Sequence, residues 1–67
     1  MLNIKLKTRD GSTVSGFMSD VVPRKGDKIE LRKGKITFYQ VSDVVYVIEG
    51  QNAHIELVVE EQSTTSI

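Results

Sequence analysis

The sequence contains no cysteine, no tryptophan, one histidine and one proline. Without cysteine there is no disulfide framework, and one histidine beside carboxylates does not make a structural zinc site, which draws on several Cys or His ligands. Two of the devices that reinforce small domains are thereby excluded, and association with another subunit is the one that remains. A long apolar segment is also missing. The longest unbroken run is Val44-Val45-Tyr46-Val47-Ile48, far short of the about 18 to 20 residues of a membrane-spanning helix. The start, Met1-Leu2-Asn3-Ile4-Lys5-Leu6-Lys7, alternates apolar and polar residues, whereas a secretory leader has a basic head and a continuous apolar core. These absences together predict a cytoplasmic protein that does not enter a membrane.

Catalytic vocabulary is equally sparse. Neither a glycine-rich phosphate loop nor a nucleophile elbow is present. His54 falls on the polar face of its segment, with Glu56 and Glu60 at same-face spacing. Such a pair supports acid–base chemistry in principle, but a lone surface imidazole is the simpler reading. The expectation is a protein without enzymatic activity, catalytic residues, metal or cofactor.

What is present is the period-two patterning of strands. A chain of 67 residues serves one core, and at this size the net stability is only about 3–5 kcal/mol. Leu2, Ile4 and Leu6 alternate with Asn3, Lys5 and Lys7, which predicts a first strand over 2–8 with one buried and one wet face. Asp10-Gly11 suits a tight type I′ turn into a second strand over 12–18, where Gly16 suggests a bulge or a sharp bend. Pro23 and Gly26 mark 19–27 as a connecting loop, with Val21 and Val22 tucked beneath it. Ile29 and Leu31 define a third strand, closed by a turn at Lys33-Gly34.

The fourth strand is irregular. Ile36 and Phe38 put the buried face on even positions, Tyr39 and Val41 put it on odd ones, and Val44 to Ile48 occupy both. A bulge or bend between about Phe38 and Asp43 accounts for the change, because a slip of one residue exchanges the two faces. After a turn at Gly50 to Asn52, the alternation of Ala53, Ile55, Leu57 and Val59 with His54, Glu56, Val58 and Glu60 predicts the cleanest strand of the chain. No stretch has helical periodicity. The expected architecture is all-β: a strongly bent, antiparallel, five-stranded sheet, closed or nearly closed into an SH3-like small barrel over residues 1–61, with a disordered polar tail over 62–67.

The stretch Pro23-Arg24-Lys25-Gly26-Asp27-Lys28-Ile29-Glu30-Leu31, followed by Tyr39-Gln40-Val41 and Val44-Val45-Tyr46-Val47, resembles a pattern of SH3-like barrels, in which a Gly-Asp turn opens a strand and a long bent strand follows. It is also similar to short uncharacterised proteins of phages and prophages. The resemblance implies a small barrel and a phage-type accessory or host-interaction role.

Two surfaces stand out. Formal charge is balanced, with nine basic and nine acidic residues, but unevenly along the chain. Arg24, Lys25, Lys28, Arg32, Lys33 and Lys35 cluster against Asp27 and Glu30, and from Ile36 onward there is no Lys or Arg against Asp43, Glu49, Glu56, Glu60 and Glu61. That basic segment, with Tyr39 as a stacking ring, is a candidate contact for nucleic acid or a nucleotide signal. The second surface is the Val44 to Ile48 run, joined by Val58 on the nominally wet face of the last strand. A half-wet antiparallel strand alternates with polar residues, and this one does not. The loop at 19–22 could cover the extra face, a bulge could turn some side chains inward, or a second subunit or protein partner could lie there. The leading expectation is a non-catalytic interaction module that forms a homo-oligomer through Val45, Val47, Val58 and Tyr46.

Overall fold

The structure, a computed structural model that describes residues 1–62, places the two cleanest alternations of the chain side by side. Strand β1 (Leu2–Lys7) runs along β5 (Asn52–Gln62), with Ile4 level with Ile55 and Leu6 with Leu57. Beyond β1 lies β2 (Thr13–Ser19); beyond β5 lie β4 (Lys35–Glu49) and then β3 (Lys28–Lys33), giving the order β2-β1-β5-β4-β3. The β1–β5 pair is parallel and the other three are antiparallel. The sheet is therefore mixed rather than wholly antiparallel. Alternation specifies which face of a strand is buried but not the direction of its neighbour. The strands with the most apolar inner faces take the centre, while β2, interrupted by Gly16, and β3, rich in charge, are left at the edges, where charged side chains discourage further pairing.

The sheet curls into a half-barrel around Ile4, Leu6, Tyr39, Val41, Ile55, Leu57 and Val59, all buried on its inner face. Val14, Val22, Ile29, Leu31 and Val44 pack around this cluster. The edge strands β2 and β3 do not meet, so the barrel is open. The segment from Asp20 to Asp27 joins the two edges and lays Val22 against the core, whereas Val21 stays exposed, against the expectation that both valines are tucked in. No helix among the described residues is long and apolar enough to cross a membrane.

The turns differ in detail from the expected ones. Thr8 N donates to the Ser12 carbonyl and Gly11 N to the Thr8 carbonyl, so the first hairpin closes over three residues, Arg9 to Gly11. Only Gly11 has a positive φ, 91°, whereas a type I′ turn needs positive φ at Asp10 as well. The Asp10 carboxylate instead accepts from Thr8 Oγ1 and, at 2.9 Å, from Ser12 N. These bonds hold its pKa below the ordinary value. The β1–β2 register shifts at Val14, not at Gly16, which pairs normally with Lys5. A second turn links Arg24 to Asp27: Asp27 N donates to the Arg24 carbonyl, Arg24 N donates to Asp27 Oδ2, and Gly26 has a φ of 94°. Gly26 N then donates to the Val41 carbonyl and Val41 N to the Asp27 carbonyl, clamping this turn to β4.

The expected bulge is present at Ser42, where Val41 faces Val59 and Asp43 faces Val58. The inner face passes from odd positions (Tyr39, Val41) to even ones (Val44, Tyr46, Ile48). Ile36 and Phe38 thus lie on the outer face and are exposed, the reverse of their expected burial. A strand of this length reaches about 50 Å, and the long axis of the molecule is 48 Å. Gln62, expected in the tail, is paired with Phe38 at the end of β5; residues 63–67 lie outside the described residues.

Candidate interaction surface

Past the bulge, the β4–β5 hairpin extends beyond the support of β3, whose ladder with β4 ends at Gln40 and is carried on to Val41 only by Gly26 and Asp27. The apolar run lies on this extension. Register divides it: Val45 opposite Glu56 and Val47 opposite His54 lie on the outer face, while Tyr46 opposite Ile55 and Ile48 opposite Ala53 lie on the inner face. The core reaches only as far as Val44, so Tyr46 is 66% and Ile48 74% exposed. Val45 is 39% exposed, and Val47 and Val58 are half-buried.

Of the four expected interface residues, Val45, Val47 and Val58 share the outer face, and Tyr46 points to the other side. Ile48, the most exposed member of the run, lies outside that set; its position next to the turn is the sequence signal for it. The loop at 19–22 does not cover the outer face. Its Val22 instead joins Leu2, Tyr46, Ile48, Ala53 and Ile55 around an apolar groove of about 250 Å³ at the open end of the half-barrel.

Polar residues of β1 and β5 flank the outer valines. Glu56 Oε2 lies 3.2 Å from Lys7 Nζ and 2.9 Å from His54 Nε2. An ionised carboxylate only accepts, so Nε2 carries the proton in this contact. Hydrogen bonds from His54 and Lys7 keep the Glu56 pKa below its ordinary value. Glu60, also expected near His54, pairs with Arg9 instead. Among the described residues, no group of three or more His, Cys, Asp or Glu side chains is placed to hold a metal ion.

The basic segment is dispersed. Arg24 and Lys25 occupy the turn, Lys28 and Arg32 lie on the outer face of β3, and Lys33 and Lys35 flank Gly34. Arg32 is paired with Glu30. Tyr39 is only 7% exposed in the core, so its ring is not available for stacking; the exposed aromatic next to this segment is Phe38, across from Glu30. A depression of about 320 Å³ beside the bulge is lined by Lys25, Gln40 and Ser42 together with Arg9 and Glu60. Lys25 is the one member of the expected set that reaches it.

Comparison with protein-family models, with curated proteins and with solved structures finds no match to this chain.

Proposed function

We propose that the protein is a non-catalytic interaction module that assembles with itself through the β4–β5 hairpin. The observation that carries this reading is the run from Val44 to Ile48, which leaves apolar side chains exposed on both faces of one hairpin. Apolar area removed from water contributes about 25 cal/mol per Å², so covering a few hundred Å² is worth several kcal/mol. That is comparable with the whole margin of a chain this small. An SH3-like classification, a phage-type accessory or host-interaction role and a cytoplasmic location belong to the same proposal and rest on the resemblance and the sequence pattern.

The test is the mass of the protein in solution. Wild type is expected to be oligomeric at tens of micromolar by light scattering, and Val45→Glu or Val47→Glu to give a folded monomer. A monomeric wild type overturns the reading.

A second reading is favoured by the depression beside the bulge, where Lys25, which makes no ion pair among the described residues, stands near Gln40, Ser42 and the Arg9–Glu60 pair. This site would take an anionic ligand of the nucleotide or nucleic-acid class. Binding of a labelled oligonucleotide should then weaken steeply with salt, as counterion release requires, and Lys25→Glu should abolish it. Binding that ignores both changes excludes this reading.

A further inference from the structure

We propose that the free edge of β4 pairs antiparallel with the same edge of a second copy, in a register centred on Val47. This rests on the self-association reading above and specifies its geometry.

The edge is open by construction of the sheet. Among the described residues, no strand flanks β4 beyond Val41 on the side away from β5. In an antiparallel ladder, alternate residues turn both N–H and C=O to the same neighbour. Glu49 and Asn52 close a two-residue turn and face each other across it. Such closing residues bond to one another, so Glu49, Val47 and Val45 direct their backbone groups to β5. Val44, Tyr46 and Ile48 direct theirs outward. The Val44 N–H is already taken, since it donates to Asp43 Oδ1 at 3.0 Å. Among the described residues, Tyr46 and Ile48 are therefore the two positions of this stretch with both donor and acceptor free.

Every register centred on a residue keeps inner face against inner face when a strand pairs with its own copy; those in the middle of the run are centred on Val45, Tyr46 or Val47. Centring on Val45 sets the partner's Glu49 against Val41, whose backbone is already bonded to Gly26 and Asp27. A Tyr46 centre sets Asp43 against the partner's Glu49, and like charges directly opposite are destabilising. With Val47 at the centre neither conflict arises. Tyr46 and the partner's Ile48 exchange both backbone bonds, as do Ile48 and the partner's Tyr46, which uses the two free positions of each chain. The two most exposed side chains of the run then meet on the inner face beside the apolar groove, and Val47 meets its own copy on the outer face. A stable interface takes about 800 Å² from each partner, more than a short strand pair provides, and the adjoining groove extends the contact. The register is self-complementary in backbone bonding and in apolar contact and sets no like charges opposite each other, which is why a second copy is the occupant.

Two variants test the geometry. Ile48→Pro removes a donor that points away from β5, so it is expected to leave the β4–β5 ladder intact, as judged by circular dichroism, while the mass falls to that of one chain. Val47→Cys introduces the sole cysteine of the chain next to its own copy, and mild oxidation is expected to give a disulfide-linked dimer, whereas Val45→Cys is expected not to cross-link. The Cys variant tests the pairing even if the Pro variant fails to fold. An oligomer that survives Ile48→Pro and dissociates with Val45→Glu overturns the edge pairing while leaving self-association in place. A monomeric wild type, including one whose edge binds only an unrelated strand peptide, overturns both.

Discussion

Ser42 and Val58 are joined across the β4–β5 pair by a 3.0 Å hydrogen bond in which Ser42 Oγ donates to the Val58 carbonyl. Ser42 is the extra residue of the bulge, and its hydroxyl ties the irregular backbone to the partner strand. Replacing it with Ala removes one such bond and is expected to cost about 1 kcal/mol. Deleting it is a different experiment, because every side chain from Asp43 to Glu49 would then change faces. Urea denaturation should show a small loss for Ser42→Ala and no cooperative transition for the deletion.

Leu57 lies at the centre of the core, fully buried between β1 and β4. Truncating a buried leucine to alanine costs about 2–5 kcal/mol, as much as the margin of a domain this small. Leu57→Ala is expected to be largely unfolded at room temperature by circular dichroism, whereas Met18→Ala, at an exposed site, should retain a transition like that of wild type.

Acid should weaken the fold partly through Glu56. Its pKa is lowered from the ordinary value of 4.5, first by the hydrogen bond to His54 and next by the one to Lys7. A carboxyl group with a depressed folded-state pKa binds fewer protons folded than unfolded, so its contribution is present above pH 4.5 and is lost as the pH falls through the depressed value. The midpoint of urea denaturation should fall over that range, and fall less steeply in Glu56→Gln. Equal slopes for the two proteins would place the acid sensitivity elsewhere.

Gly26 adopts a φ of 94° with open space around its Cα. A side chain there meets no neighbour, so the cost of Gly26→Ala is the backbone strain of a left-handed L-residue, about 1–2 kcal/mol. The same turn anchors the loop to Val41, so the amide of Val41 should exchange faster with solvent in the variant. Unchanged exchange would show that the clamp does not depend on the turn.

Much of the fold was legible because it was local. Leu2, Ile4 and Leu6, and Ile55, Leu57 and Val59, announced their strands and inner faces by alternation alone, and the clash of parity between Ile36–Phe38 and Tyr39–Val41, with a run on both parities after it, pointed to an irregularity within the right span. Which side of the bulge carried the even face was not legible, because Ile36 and Phe38 are as apolar as Tyr39. Their exposure follows from the inward direction of Tyr39 and Val41, which leaves Ile36 and Phe38 on the outer face, a tertiary fact. The parallel pairing of β1 with β5 was hidden for the same reason. The apolar run was visible as an anomaly, but its free edge was not, since that depends on where the β3 ladder stops. The basic residues were legible as a cluster in sequence, and folding spread them over a turn, a strand face and a second turn.

The parallel β1–β5 pair also governs how the chain arrives at its structure. The β1–β2 hairpin and the β3–β4–β5 meander each close through nearby residues, yet neither holds a core alone, since Ile4 and Leu6 come from one and Tyr39, Val41, Ile55, Leu57 and Val59 from the other. Their docking closes a long loop, and long-range pairings of this kind are slow to form. The rate-limiting step of refolding is therefore expected to be the meeting of two preformed pieces, so Leu6→Ala, at the face where they dock, should slow refolding in stopped-flow measurements. At high concentration the same step permits the hairpin of one chain to dock on the meander of another, with the Asp20–Asp27 connection as the hinge of that exchange.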